Sequence, residues 1–195
     1  MSVTSLSLLE HVQQSPDDSA WQRLVDLYTP LIRVWLKRYA LLDQDIDDLV
    51  QEVLTVVVRK VPEFQRNSQT GSFRRWLRTI TVNCLRTFWR SQRYRPKMAN
   101  KEGFAQILDQ LEDANSALSE VWDREHDDHV ARRLLEMVRP RFEPKTWLAF
   151  QRVALEEIPV DEVASELGMT ANAVFIAKSR VVHSLRQEGK GLLDY

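Results

Sequence analysis

A single cysteine, Cys84, stands in 195 residues. No internal disulfide can form, and no zinc site built on cysteines is available. Such usage suits a reducing compartment, so the expected location is cytoplasmic. Glycine is scarce as well, with five residues. Alternating β-branched runs are few, which argues against sheet and for an all-α fold. No stretch approaches the ~18 consecutive apolar residues of a transmembrane helix, and no membrane insertion is expected. The opening "MSVTSLSLLEHVQQSPDD" lacks the basic start and apolar run of a secretory signal. Net charge is also missing: at −1, no global field draws the chain toward a polyanion.

What the chain does have is charge sorted into blocks. Residues 43–52 carry Asp43, Asp45, Asp47, Asp48 and Glu52 with no base. Residues 73–95, "FRRWLRTITVNCLRTFWRSQRYR", contain arginines and rings but no Asp or Glu. From Glu102 to Asp128 acids dominate again, with Arg124 the only Lys or Arg. Apolar periodicity predicts helices over about 4–14, 17–40, 43–61, 73–92, 105–138, 144–156, 160–167 and 171–188. Two helical units are expected, 1–95 and 128–195, joined by an acidic linker over 96–127. Pro96 and Gly103 mark the end of the first unit. The linker reads as flexible chain with transient helix, or as stable helix running into the second unit.

Three segments carry the functional signal. In "DQDIDDLVQEVLTVVVRKVPEF" (43–64) the Asp residues suit a helix N-terminus. Ile46, Leu49, Val50, Val53, Val57 and Val61 form its apolar stripe, and Pro62 ends it. Its opposite side presents Asp48, Gln51, Glu52, Thr55 and Arg59, either a solvated face or a dock for a basic protein partner. In 73–92, helical phase gathers Phe73, Trp76, Leu77, Ile80, Cys84 and Phe88 on one side. Arg75, Arg78, Val82, Asn83, Arg86, Trp89 and Arg90 lie on the other. Arginines suit phosphates and an indole suits an unpaired base; alternatively the linker covers Trp89. The polar loop 64–72 before it offers groups to a flipped-out base.

The third segment, "PVDEVASELGMTANAVFIAKSRVVHSLRQE" (159–188), has helix-turn-helix spacing. Val163, Ala164 and Leu167 face inward, Gly168 takes the turn, and Thr170 caps the next helix. Val174, Ala177, Val181 and Leu185 are that helix's buried stripe. Asn172, Ala173, Ile176, Ser179, Arg180 and His183 face away and are the candidates for a major groove. His126 and His129, three residues apart, read as a solvated helix start, since no further metal ligands accompany them.

In this order the segments resemble a bacterial RNA polymerase sigma factor of the ECF (extracytoplasmic function) group. "DIDDLVQEVL" (45–54) is similar to the family's core-binding segment, and 71–95 to the segment that recognises and melts the minus-ten element. Residues 142–188 are similar to the domain that binds the minus-thirty-five element. The resemblance implies that Asp45, Asp48, Leu49, Gln51 and Glu52 dock on the β′ subunit of core RNA polymerase. It implies that loop 64–72 holds a flipped base and that Arg75, Arg78, Asn83, Arg86, Trp89 and Arg90 meet minus-ten promoter DNA. Asn172 to His183 then enter the minus-thirty-five major groove, and a surface around Trp147 and Phe150 meets the β subunit, unless those rings are core. An anti-sigma factor is a further partner that the resemblance allows. Neither enzymatic activity nor a cofactor is implied. Ala171, Ala173 and Ile176 depart from the more polar recognition helices of many relatives. Two rival readings are a freestanding helix-turn-helix regulator and a metal-dependent nuclease built on Asp45, Asp48 and Glu52.

Overall fold

A computed structural model describes residues 7–14, 17–39, 41–65, 72–92, 101–113 and 115–193. Among them the chain is all-α, and the one β-bridge, Lys190 to Leu193, is isolated. The helices are α1 (Leu8–Gln14), α2 (Asp18–Leu36), α3 (Asp43–Lys60), α4 (Ser72–Gln92), α5 (Lys101–Glu112), α6 (Ala117–Val138), α7 (Pro144–Phe150), α8 (Val160–Leu167) and α9 (Ala171–Glu188).

Local chemistry explains where the helices begin. Ser7 and Glu10 form a capping box on α1: each backbone N–H donates to the other's side chain, at 3.0 and 3.2 Å. Asp17 caps α2 by accepting from the Ala20 N–H at 2.6 Å. The acids of α3 work differently from the expected caps. Leu42 occupies the cap position without a side-chain bond, and Asp43 and Asp45 lie in the first turn, where the helix dipole favours them.

The largest core joins α1–α6. Tyr28, Trp35, Phe73, Leu77 and Trp122 are at most 1% exposed in it. Two smaller clusters hold the C-terminal helices together. Ala149, Val163, Ala164, Val174 and Ala177 form one, and Val138, Trp147, Phe150 and Val181 the other. Trp147 and Phe150 are therefore both core rings, tilted against each other at 5.2 Å, rather than a surface for the β subunit.

Of the two readings of the expected linker, the structure takes the stable helix rather than flexible chain. The linker's described residues are helix in α5 and the first half of α6, broken by a turn in which the Ser116 N–H donates to the Asp113 carbonyl. Ser116 then caps α6 through the Ser119 N–H at 3.0 Å. Ser119, Trp122, His126, Val130, Leu134 and Val138 make one buried stripe at spacings of three and four. Ser119 and His126 are polar members of that stripe, which hides it from a reading of hydropathy. The indoles of Trp35 and Trp122 stack at 4.2 Å and 16°. His126 is buried, not solvated, with Nε2 3.2 Å from the Tyr28 hydroxyl and Nδ1 2.9 Å from Asp127.

The last described residues return to the first helix. Leu192 and Leu193 belong to the large core, and Gly191 lies where an added Cβ would fall 2.9 Å from a Leu9 methyl. The buried Glu188 carboxylate binds both Arg23 and Arg141, the latter at 2.7 Å, and Lys190 reaches Glu10 at 2.6 Å.

Between α8 and α9 the chain turns at Gly168, in the left-handed region at φ +57°, and the Met169 N–H donates to the Ala164 carbonyl at 2.9 Å. Glu157 holds the same φ without being glycine. Gly168→Ala should therefore destabilise the protein by about 1 kcal/mol, although nothing lies within 4 Å of the added methyl. Glu157→Gly should stabilise it by a similar ~1 kcal/mol. Urea midpoints of the two variants check both signs.

Candidate nucleic-acid interface

On α3 the outward carboxylates stand as the spacing predicts. Asp48, Gln51 and Glu52 are exposed and Asp45 is half-buried. Asp47 pairs with Arg33 at 2.5 Å, whereas Asp48 and Glu52 form no ion pair among the described residues. Leu49 is different: at 1% exposure it is a core residue and offers no surface to a partner. The opposite side of α3 carries the buried Ile46, Val50, Val53 and Val57, so the acids sit on a rigid helix.

Helix α4 follows α3 through a short turn at Val61–Glu63 and a segment whose residues 66–71, most of the loop expected to hold a base, lie outside the described residues. A cleft flanks that segment. It is lined by Glu63, Phe64, Gln65, Ser72, Arg75, Trp76 and Thr79. The Phe64 ring meets Phe73 edge-on at 5.4 Å and Trp76 at 4.9 Å. Trp76 was assigned by phase to packing; it is half-buried, with part of its ring open to the cleft. The signal that points to it is a ring one turn into a helix, directly after a polar loop.

The arginines of α4 fall into two sets. Arg75 and Arg90 are exposed, together with Asn83, and so form the open side of the helix. Arg74, Arg78 and Arg86 instead meet the acids of α5 and α6. Arg74 Nη1 reaches Asp127 at 2.5 Å and its Nε lies 3.3 Å from Asp123. Arg78, 2% exposed, pairs with Asp123 and donates to the Ser119 carbonyl at 3.2 Å. Burial pushes its pKa down, and Asp123 acts in the opposite sense. Arg86 pairs with Glu112 and lies 3.5 Å from Asp109; the bond from Arg86 holds the Glu112 carboxyl below its ordinary range. Phase alone put Arg78 and Val82 on an open face. Both are buried, because α4 packs on two sides. Trp89 is half-buried, edge-on to Phe88 at 6.5 Å. Cys84 is buried and its thiol is pushed up to about 11 by burial and by the charge of Glu52, so it is not a nucleophile at neutral pH.

These features fall within a segment that is similar to a known family. Residues 24–95, which span most of α2 together with α3 and α4, match the model of sigma-70 region 2. The match supports an RNA polymerase sigma factor and a role in transcription initiation directed by that polymerase. No curated protein matches the chain. The acid face of α3 and the arginines of α4 both lie inside the region 2 match, while the helices that neutralise three of those arginines lie outside it.

At the far end, the Thr170 hydroxyl caps α9 by accepting from the Ala173 N–H at 3.1 Å. Asn172, Ile176, Ser179, Arg180 and His183 are exposed, and Ala173 is half-buried. Phe175, absent from the expected set, is 56% exposed on the same side. No helix among the described residues is long and apolar enough to cross a membrane, and no group of three or more metal-ligating side chains occurs among them.

The sheath of α6 over region 2 has a pH signature. The His129 Nε2–H donates to the Leu27 carbonyl at 2.7 Å, and burial holds the imidazole below its ordinary 6.5. Below that value the unfolded chain takes up a proton that the folded one resists, so stability should fall as pH drops through about 6.5. For Asp127, burial pushes the carboxyl up, but the bond to His126 and the charge of Arg74 together leave it below 3.8. Its contribution is present above that value and is lost only at more acid pH. Urea titrations followed by tryptophan fluorescence should show both losses, and His129→Gln should remove only the first.

Proposed function

We propose that the chain is an alternative sigma factor of the ECF kind: a dissociable subunit that binds core RNA polymerase, selects promoters and helps to open them. The observation that carries this reading is the region 2 match, with an exposed acidic face on α3 beside a basic, ring-lined α4. Asp45, Asp48, Gln51 and Glu52 meet a basic surface of the β′ subunit, where charge complementarity sets orientation and on-rate. Arg75, Asn83 and Arg90 lie along the promoter backbone at the minus-ten element, and Trp89 stacks on an unpaired base. The cleft between Phe64 and Trp76 takes the edge or face of a flipped base. Stacking contributes about 1–3 kcal/mol per captured base, enough to offset unstacking of one or two weak steps. Helices α8 and α9 act as a helix-turn-helix on minus-thirty-five DNA, with Asn172, Ile176, Ser179, Arg180 and His183 toward the groove. The chain performs no chemistry of its own, its place of action is the cytoplasm, and an anti-sigma factor is a natural antagonist.

In the free protein the acids of α5 and α6 sit where promoter phosphates would otherwise compete for Arg74, Arg78 and Arg86. Arg78 is too buried to reach DNA and acts as an anchor for α6. Arg86, at the rim, is the arginine that changes partner. Free protein therefore binds duplex weakly, and core polymerase shifts the balance toward DNA.

Reconstitution with core polymerase tests the assignment. The mixture should give promoter-specific transcripts that core alone does not. Asp48→Arg should weaken core affinity at least tenfold, while Trp89→Ala should spare core binding and slow open-complex formation. An Asp48→Arg protein with undiminished core affinity sinks the docking assignment. A separate measurement addresses the acidic sheath. Replacing the exposed Asp109 and Glu112 by lysine should raise the free protein's affinity for promoter duplex several-fold and shift its stability by no more than about 0.5 kcal/mol.

A further inference from the structure

The N-terminal half of α9 carries an unusual surface. Phe175 is 56% and Ile176 50% exposed, side by side in the second turn after the Thr170 cap. Phe175 is the one large exposed aromatic among the described residues. Adjacent bare apolar side chains are unfavourable in water unless something covers them. Asn172, Phe175, Ile176, Ser179 and Arg180 recur at spacings of three and four, so the pair sits mid-face, with polar groups before and after it.

The charge around the pair narrows what covers it. Residues 171–187 contain no Asp or Glu, while Lys178, Arg180 and Arg186 supply positive charge. On the preceding helix, Glu166 is engaged by Arg152 at 2.8 Å. An apolar centre in a basic, acid-free helix fits a polyanion with apolar groups on its readable edge. Duplex DNA has one such group in the major groove, the C5-methyl of thymine. The span from Asn172 to Arg180 is about 12 Å of helix, the length of three to four base pairs.

We propose that Phe175 and Ile176 read thymine methyl groups in the major groove of the upstream promoter element, making thymine at adjoining positions the sequence preference of this helix. The inference rests on the reading of α9 as the DNA-facing helix. Asn172 and Arg180 hold the helix in register on neighbouring base edges or phosphates. The apolar pair supplies discrimination through burial, which a polar recognition helix obtains through hydrogen bonds.

The test uses the full chain assembled with core polymerase and a duplex library randomised over the upstream element. Wild-type holoenzyme should enrich thymine at two or more positions. Replacing those thymines by deoxyuridine, which removes only the methyl, should weaken binding about fourfold per position, equivalent to ~0.8 kcal/mol for one buried carbon. In a Phe175→Ser, Ile176→Ser protein the loss on uracil substitution should vanish, with core affinity intact. Both residues are exposed, so the variant keeps its core. Holoenzyme that selects an upstream sequence but binds the uracil duplex equally well overturns this proposal alone. If the serine variant instead loses affinity for core, the pair is a polymerase contact and the proposal falls. Holoenzyme that selects no upstream sequence removes the sigma reading and this inference together.

Discussion

The pairing of Arg74 and Arg78 with Asp123 and Asp127 holds α6 against α4, and much of the molecule is organised around it. Among these groups Arg78 alone is buried, and a buried charge stabilises a fold only when geometry satisfies it; removing its partner leaves a charge whose burial costs about 3–5 kcal/mol. Here Arg78 is satisfied twice, by Asp123 and by the Ser119 carbonyl. Apolar contact completes the join through the stacked indoles of Trp35 and Trp122. Once α6 is fixed in this way, its C-terminal half leads directly into the cluster formed by Val138, Trp147, Phe150 and Val181. The position of α9 is thus inherited from an ion pair on α4.

The same join divides the arginines of α4 by role. Those that α5 and α6 neutralise hold structure or stand in reserve. Arg75 and Arg90 are exposed on the open side. A chain with net charge −1 presents positive potential only in restricted places, chiefly along the open side of α4.

Much of this was legible in the sequence because it depends on local periodicity. The all-α class, the α3 stripe, the Gly168 turn and the Thr170 cap all follow from spacing and from single-residue chemistry. What spacing hid was tertiary. Asp109, Glu112, Asp123 and Asp127 look solvated because their bases lie 23–53 residues earlier in the chain. The stripe of α6 looks broken because Ser119 and His126 belong to it. Leu49 is interior as its own stripe requires, against the partner role that the resemblance implies, and Arg78 is interior because α4 packs on two sides. Phe175 escaped notice because an exposed ring carries no periodic signal.

The packing of Leu192 and Leu193 against the core that contains Leu8, Leu9 and Val12 sets an order of events during synthesis. Helices α2 to α4 need only residues made early, so their mutual packing can form while translation continues. The α1 end of that core stays open until Leu192 and Leu193 have been made, and the contacts that close it span more than 170 residues of sequence, with the loop-closure cost that entails. The Glu188 carboxylate, arriving just before them, captures Arg23 and Arg141 and brings the two ends together. The two joins, one apolar and one ionic, tie the segment around residues 188–193 to α1 and α2.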